Sequence, residues 1–156
     1  MGVSGAGKTT VGRKLAAELG WSFYEGDDFH SAASVEKMSR GIALTDEDRR
    51  PWLAALRALI ERCLEKKENA VLACSALKQA YRRVLRGEDA EVVFVYLEAP
   101  PELLAARLEQ RAGHYAKRDL LPSQLATLEE PRDAVVVDAS APPGEIAGVI
   151  RERLGI

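Results

Sequence analysis

Gly2-Val3-Ser4-Gly5-Ala6-Gly7-Lys8-Thr9 satisfies the pattern GxxxxGK[ST] at all four fixed positions, and its reading decides the fold. Glycines at positions 2, 5 and 7 let the backbone turn its N–H groups inward, and the helix that opens at Thr9 adds the positive end of its dipole. A polyphosphate fits such a nest. Gly2, Ser4, Gly5, Ala6, Gly7, Lys8, Thr9 and Thr10 are therefore the candidate nucleotide contacts. Lys8 reaches the β- and γ-phosphates as a mobile charge, and the Thr9 hydroxyl is the expected ligand to nucleotide-bound Mg²⁺. ATP and Mg²⁺ are the implied cofactors. A helical run of Val11, Leu15, Ala16 and Leu19 follows at once, which a chance glycine-rich turn would not require.

Outward from the loop, strand-like and helix-like stretches alternate. The first helix runs from Thr9 to Leu19 and is stopped by Gly20. Trp21 to Glu25 has strand character, and Gly26-Asp27-Asp28-Phe29-His30 stands at its carboxyl end, where open parallel sheets bind ligands. Two adjacent carboxylates and an imidazole there point to chemistry; capping of the helix beginning near Ser31 is the competing reading, and it suits Asp28 better than Asp27, which lies nearer the strand end. Ala32 to Arg40 reads as a short helix. Thr45 and Asp48 form a capping-box start for a long one with Trp52, Leu53, Leu56, Leu59, Ile60 and Cys63 on one face. The apolar run from Ala70 to Cys74 is a buried strand ending at Ser75-Ala76-Leu77-Lys78, with Lys78 and Arg82 four apart on the next helix. Val92 to Leu97 is a strand, Pro101 to Arg111 a helix, Val135 to Val137 a last strand, and Gly144 to Leu154 a closing helix. Residues 113–118 are aperiodic, basic and glycine-hinged, and read as a loop, part of a lid at about 112–128 over the phosphates.

The expected architecture is α/β, a three-layer α/β/α sandwich on a parallel sheet of the P-loop NTPase type, similar to the nucleoside-monophosphate kinases, with strand order 2-3-1-4-5 by analogy. At 156 residues, residues 1–156 form a single domain. Only Met1 precedes the loop, so the strand that should feed it, the middle one of the sheet, reads as truncated. The net charge of -2 gives no reason to expect nucleic acid, and no apolar stretch is long enough to span a bilayer. Cys63 and Cys74 read as buried thiols of a reducing compartment, so a cytoplasmic location is expected, with a homodimer left open.

Beyond the loop, the chain carries GDDFH (26–30), EKM (36–38), TDEDRRPWL (45–53), CSALK (74–78), Tyr81-Arg82, RAGHY (111–115) and LPSQLATLEEP (121–131). With these it closely resembles the gluconokinase family, nearly end to end. The resemblance implies ATP-dependent phosphorylation of D-gluconate on its 6-hydroxyl. A sugar acid needs cations for its carboxylate and short polar groups for its hydroxyls; Arg49, Lys78, Arg82 and His30 offer the first, and Asp27, Asp28 and Gln124 the second. Asp27 either orients the attacking hydroxyl or holds Mg²⁺ through water, two roles that the residues alone do not separate. The apolar run from Ala70 to Cys74 is not followed by an Asp suited to the metal, which places more weight on Asp27. Arg111 and Arg107 would lean on the phosphates, as in similar small kinases, with Lys8, Asp27 and Arg111 as the catalytic set. His114 falls on the GH of the family motif and is a candidate substrate contact. Kinases of other small anions, such as shikimate or adenylylsulfate, and a non-catalytic ATP-binding module are the competing readings.

Overall fold

A computed structural model of the chain describes residues 1–110 and 115–156, and for residues 115–119 the backbone alone. Among the described residues four short strands form two parallel pairs. Strand β1 (Ser22–Glu25) lies beside β2 (Ala70–Ala73) with Glu25 opposite Ala73, and β3 (Val95–Glu98) beside β4 (Val135–Asp138) with Glu98 opposite Asp138. The start of the chain lies between the pairs. The Met1 amino group donates to the Val95 carbonyl at 2.5 Å and the Met1 carbonyl accepts from the Leu97 N–H at 3.0 Å, a parallel ladder step about Tyr96. On the other side the Gly2 N–H donates to the Ser75 carbonyl, just past β2, at 3.2 Å. The spatial order is thus β1, β2, Met1-Gly2, β3, β4, and Met1 stands where the order 2-3-1-4-5 has its first strand.

Helices cover both faces because neighbouring strand residues point opposite ways. Val71 packs into a cluster with Val11 and Leu15 of α1 (Lys8–Leu19), Leu104 and Leu108 of α5 (Pro101–Glu109), and Ile146 and Ile150 of α7 (Pro143–Leu154). The next residue, Leu72, packs into the other cluster, with Trp52, Leu53 and Leu56 of α3 (Asp46–Lys66) and Tyr81 and Leu85 of α4 (Gln79–Arg86). Complete burial of Leu56 alone is worth about 2 kcal/mol. The short α2 (Ala32–Ser39) follows the β1 end, capped by the Ser31 hydroxyl. Helix α3 starts at the expected capping box: the Asp48 N–H donates to Thr45 Oγ1 at 3.2 Å and the Thr45 N–H to Asp48 Oδ2 at 2.9 Å. The Thr45 backbone bond, then Lys37, hold the Asp48 carboxyl down to about 2. Both cysteines are buried and unbridged.

The sequence reading differs from the structure in three places. Strand β3 begins at Val95 rather than Val92, because β4 offers it a partner only from Val135 onward. Lys78 is the N-cap of α4, one residue outside the helix, in an extended conformation. Residues 115–118, expected as loop, open a helix, α6 (Tyr115–Thr127). Its apolar residues Leu120 and Leu121 are buried, and Leu125 packs on the first cluster, so tertiary burial outweighs a polar start and an internal Pro122. Among the described residues no helix is long and apolar enough to cross a membrane.

Candidate active site

The loop takes up the geometry its glycines allow. Gly5 (φ 84°) and Gly7 (φ 91°) are left-handed, and a Cβ on Gly5 would meet the Leu104 carbonyl oxygen at 2.9 Å. Lys8 opens α1, with its Nζ donating to the Val3 carbonyl of its own loop at 3.0 Å. The Thr9 hydroxyl donates to Glu25 Oε2 at 2.7 Å. Glu25 was not among the sequence candidates, although an acidic residue closing the first strand after a phosphate loop was the available signal. On the far side, Arg107 donates to the Ala139 carbonyl at 2.7 Å and, through its other terminal nitrogen, to the Gly5 carbonyl at 3.5 Å. A cleft of about 440 Å³ opens there between Gly5, Gly7, Thr10, Arg107, Ala141 and Pro143, of a size and composition suited to a nucleobase.

The turn after β1 is built on Gly26. Its carbonyl accepts from the buried Trp52 Nε1–H at 2.7 Å, and a Cβ there would lie 2.7 Å from the Ala73 oxygen and 2.8 Å from Cys74 Cβ. Only glycine lets the end of β1 press so closely on β2. The following 3-10 turn, Gly26–Phe29, leaves Asp27 and Asp28 exposed. His30 stacks on Trp52 with ring centroids 4.7 Å apart and planes 11° from parallel, and its Nε2 lies 4.0 Å from Asp27 Oδ1. Burial pushes the imidazole pKa down, Arg49 adds to the effect and Asp27 opposes it. The buried Cys74 thiol is pushed up by desolvation, which the Met1 amino group and Lys8 oppose and Asp27 and Glu25 reinforce. A thiol so disfavoured as thiolate is packing, not a nucleophile.

Beside this turn stands a cluster that the sequence presented only in part. Lys78 Nζ donates to both oxygens of Asp46 at 2.9 and 3.1 Å, and the Tyr81 hydroxyl makes a short hydrogen bond to the same carboxylate. Arg49 lies over the Tyr81 ring, 5.5 Å from its centroid, and donates to the Leu44 carbonyl at 2.5 Å. The Tyr81 bond and then Lys78 hold Asp46 below the usual carboxylate range, while Asp46 raises Lys78, so the pair is ionised around neutrality. Two cations against one carboxylate leave a single positive charge for a ligand. Asp46 escaped notice because it reads as an ordinary acidic residue in a first helical turn.

Two further candidates have partners that redefine their surroundings. Arg82 is 4% exposed and donates through one terminal nitrogen to the Ala76 and Leu77 carbonyls at 2.9 and 3.0 Å, bracing the left-handed Ala76 (φ 44°) rather than standing open to a substrate. Gln124 reaches the phosphate loop, where its Oε1 accepts from the Ser4 N–H at 2.7 Å. Arg111 and His114 lie outside the described residues. As a seat for Mg²⁺ the donors fit: a loop hydroxyl already paired with a carboxylate, beside a nest for phosphates, suits an ion that prefers oxygen ligands, few of them from protein. Among the described residues no three His, Cys, Asp or Glu side chains converge as a separate metal site.

A phosphate loop feeding a parallel sheet, with a carboxylate turn and a cation cluster at the strand ends, defines a P-loop kinase of small molecules. The family model for the AAA domain matches residues 1–140. A gluconokinase from Gluconobacter oxydans (strain 621H) is 53% identical over 133 residues, which is 85% of this chain and 75% of that one. A solved gluconokinase from Sinorhizobium meliloti 1021 superposes with a TM-score of 0.83 at 43% identity, covering 99% of this chain and 93% of the other. An unliganded sugar kinase from Janibacter sp. HTCC2649 superposes with a TM-score of 0.92, also at 43% identity, covering 100% and 92%. The chain belongs to the gluconokinase family.

Proposed function

We propose that this protein transfers the γ-phosphoryl group of ATP to the 6-hydroxyl of D-gluconate, giving 6-phospho-D-gluconate. The observation that supports the reading most is the bond from the Thr9 hydroxyl of the phosphate loop to Glu25, which joins the loop to the turn that carries Asp27, with Arg49 and the Lys78–Asp46–Tyr81 cluster beside that turn. Phosphoryl transfer needs positioning and charge, not a covalent nucleophile, and the site offers both.

In this reading Lys8 leaves the Val3 carbonyl for the transferring phosphate, a short swing for a flexible side chain. Asp27, exposed at the tip of its turn, accepts a hydrogen bond from the attacking hydroxyl and orients it. Glu25 holds the Thr9 hydroxyl, which supports giving the metal's surroundings to Glu25 and the acceptor hydroxyl to Asp27. Magnesium, when bound with the nucleotide, offsets charge on the phosphates, and Thr9 with Glu25 behind it would hold the ion. Arg49 and Lys78 take the gluconate carboxylate, their single net charge matched to a monoanion, and neutral His30 serves a sugar hydroxyl. Arg107 lies at the nucleobase cleft and on the carbonyl side of Gly5, which suits it to the nucleotide.

The test is ATP consumption with gluconate, shikimate and adenylylsulfate offered separately. Gluconate should exceed the others by at least ~100-fold in kcat/KM, since neither competitor presents a carboxylate and a chain-end hydroxyl at the spacing of gluconate. Comparable turnover of shikimate or adenylylsulfate, or none of gluconate, would overturn the reading.

A further inference from the structure

The segment from Gln124 to Glu129 touches both halves of the site. At one end Gln124 Oε1 accepts from the Ser4 N–H of the phosphate loop at 2.7 Å, across 120 residues of sequence. Because that donor is a backbone N–H, the oxygen of the Gln124 amide must face the loop, which fixes the orientation of its NH₂. At the other end Glu129 makes two bonds to the segment that carries Lys78. Its N–H donates to the Leu77 carbonyl at 2.9 Å, and its Oε2 accepts from the Gln79 N–H at 2.7 Å, capping α4. Between the two ends the chain is held by the Thr127 hydroxyl on the Ser123 carbonyl at 2.7 Å and by the Leu128 N–H on the Gln124 carbonyl at 2.9 Å.

The Leu77 end is itself braced. Arg82 donates to the Ala76 and Leu77 carbonyls, so the Leu77 oxygen accepts from both Arg82 and Glu129. Ala76 is left-handed and wholly buried, a conformation a non-glycine residue keeps only when its surroundings impose it. The loop that carries Lys78 is therefore a fixed platform, and the bonds of Glu129 tie it to the strut whose other end lies on the phosphate loop.

We propose that residues 124–129 are a strut that sets the separation of the phosphate loop from the acceptor platform, with Gln124 and Glu129 as its positioning residues. Its function is registration: a phosphoryl donor held at the loop and an acceptor held through Lys78 are kept in line by one short, internally bonded segment. Loosening either end leaves both ligands bound but misaligned, and water then competes with the acceptor hydroxyl for the phosphoryl group. In that side reaction the γ-P–O bond of ATP breaks and water supplies the new oxygen, giving ADP, inorganic phosphate and a proton. The proposal rests on the gluconate-kinase reading for its acceptor, so its test has one arm that needs no acceptor.

The first arm uses the whole protein without ligands and follows backbone amide hydrogen exchange in Q124M and E129A. Q124M should speed exchange at Ser4 and also, across the strut, at Gln79 and Glu129 by at least ~10-fold, with the melting transition still cooperative. Unchanged exchange at Gln79 and Glu129 in Q124M would overturn the proposal whatever the substrate. The second arm measures the ratio of ADP to phosphogluconate at saturating gluconate and Mg-ATP. In wild type it should be close to one. In Q124M and E129A kcat should fall ~10-fold or more and the ratio rise well above one, with each KM within about threefold, and E129Q, which keeps an acceptor for Gln79, should recover most of what E129A loses. A ratio of one in both variants, or a defect confined to one KM, would overturn the strut. A wild-type enzyme with no phosphogluconate product would instead overturn the substrate reading and leave the exchange result to decide the strut.

Discussion

Asp27 and Lys78 sit on opposite sides of one reaction and should fail in opposite ways. Asp27 is exposed on a one-turn 3-10 helix, and in the proposed mechanism it orients the hydroxyl, so Asp27→Asn should lower kcat by ~100-fold or more while the gluconate KM changes by only a few fold. Lys78, paired with Asp46, is the proposed contact of the gluconate carboxylate, and Lys78→Met should then raise the gluconate KM by ~10-fold or more with a smaller effect on kcat. Initial-rate kinetics on both variants check this, and two changes in KM alone would make Asp27 a binding residue. Glu25 gives a separate test, because it contacts the loop hydroxyl and not the acceptor. Glu25→Gln should raise the Mg²⁺ concentration for half-maximal rate ~10-fold, the usual scale for a group that orients a metal ligand. An unchanged Mg²⁺ titration would remove Glu25 from the metal's surroundings. The loop residues were legible in the sequence because their chemistry is written in consecutive positions. Glu25, Asp46 and Glu129 were not, since what singles them out is a partner 16, 32 and 50 residues away.

Among the elements, the turn between β1 and α2 carries the tightest constraint. Gly26→Ala would drive a methyl into the Ala73 oxygen and Cys74 Cβ, so the β1 end must withdraw and take Asp27 and the Trp52 bond with it. The expected cost is about 1 to 3 kcal/mol of stability, with at least a tenfold loss of kcat, read by thermal melting and kinetics on the same sample. Wild-type values for both would mean that the turn has slack it does not show. Helix α3 was legible because its start is chemical, Thr45 and Asp48 bonding reciprocally, and its face is periodic from Trp52 to Cys63. Helix α6 was not legible at its first turns. Its polar start and its Pro122 disguise a helix whose stability comes from Leu120, Leu121 and Leu125 packing against distant elements.

At the scale of the molecule, pH acts on the fold through His30 in a window set by burial. The unfolded imidazole titrates near 6.5 and the folded one lower, so the unfolded chain binds the extra proton. Stability from this source is constant well above 6.5 and declines as pH falls below it, by at most about 1.4 kcal/mol per pH unit, until the folded pKa is passed. The groups facing the ring are Asp27, Arg49 and Trp52. Melting temperatures from pH 7.5 to 5 should decline in wild type and decline less in His30→Gln, where the buried Met1 amino group, lowered to about 6, still takes up a proton on unfolding; parallel curves would remove His30 from the pH dependence. The two sheet faces were legible because helices and strands alternate along the chain and connect in one hand, whereas the order of the strands and the central position of the phosphate loop were expected by analogy alone, since alternation does not say which strands are neighbours. The site lies where that topology puts it, at the carboxyl ends of the strands. Its central claim is phosphoryl transfer from ATP to a single hydroxyl of gluconate, and the most direct measurement is ¹³C NMR of uniformly labelled gluconate incubated with the enzyme and Mg-ATP. The account predicts that C6 and, over three bonds, C5 acquire phosphorus coupling as the product accumulates; coupling at any of C1 to C4, or no phosphorylated product, would contradict it.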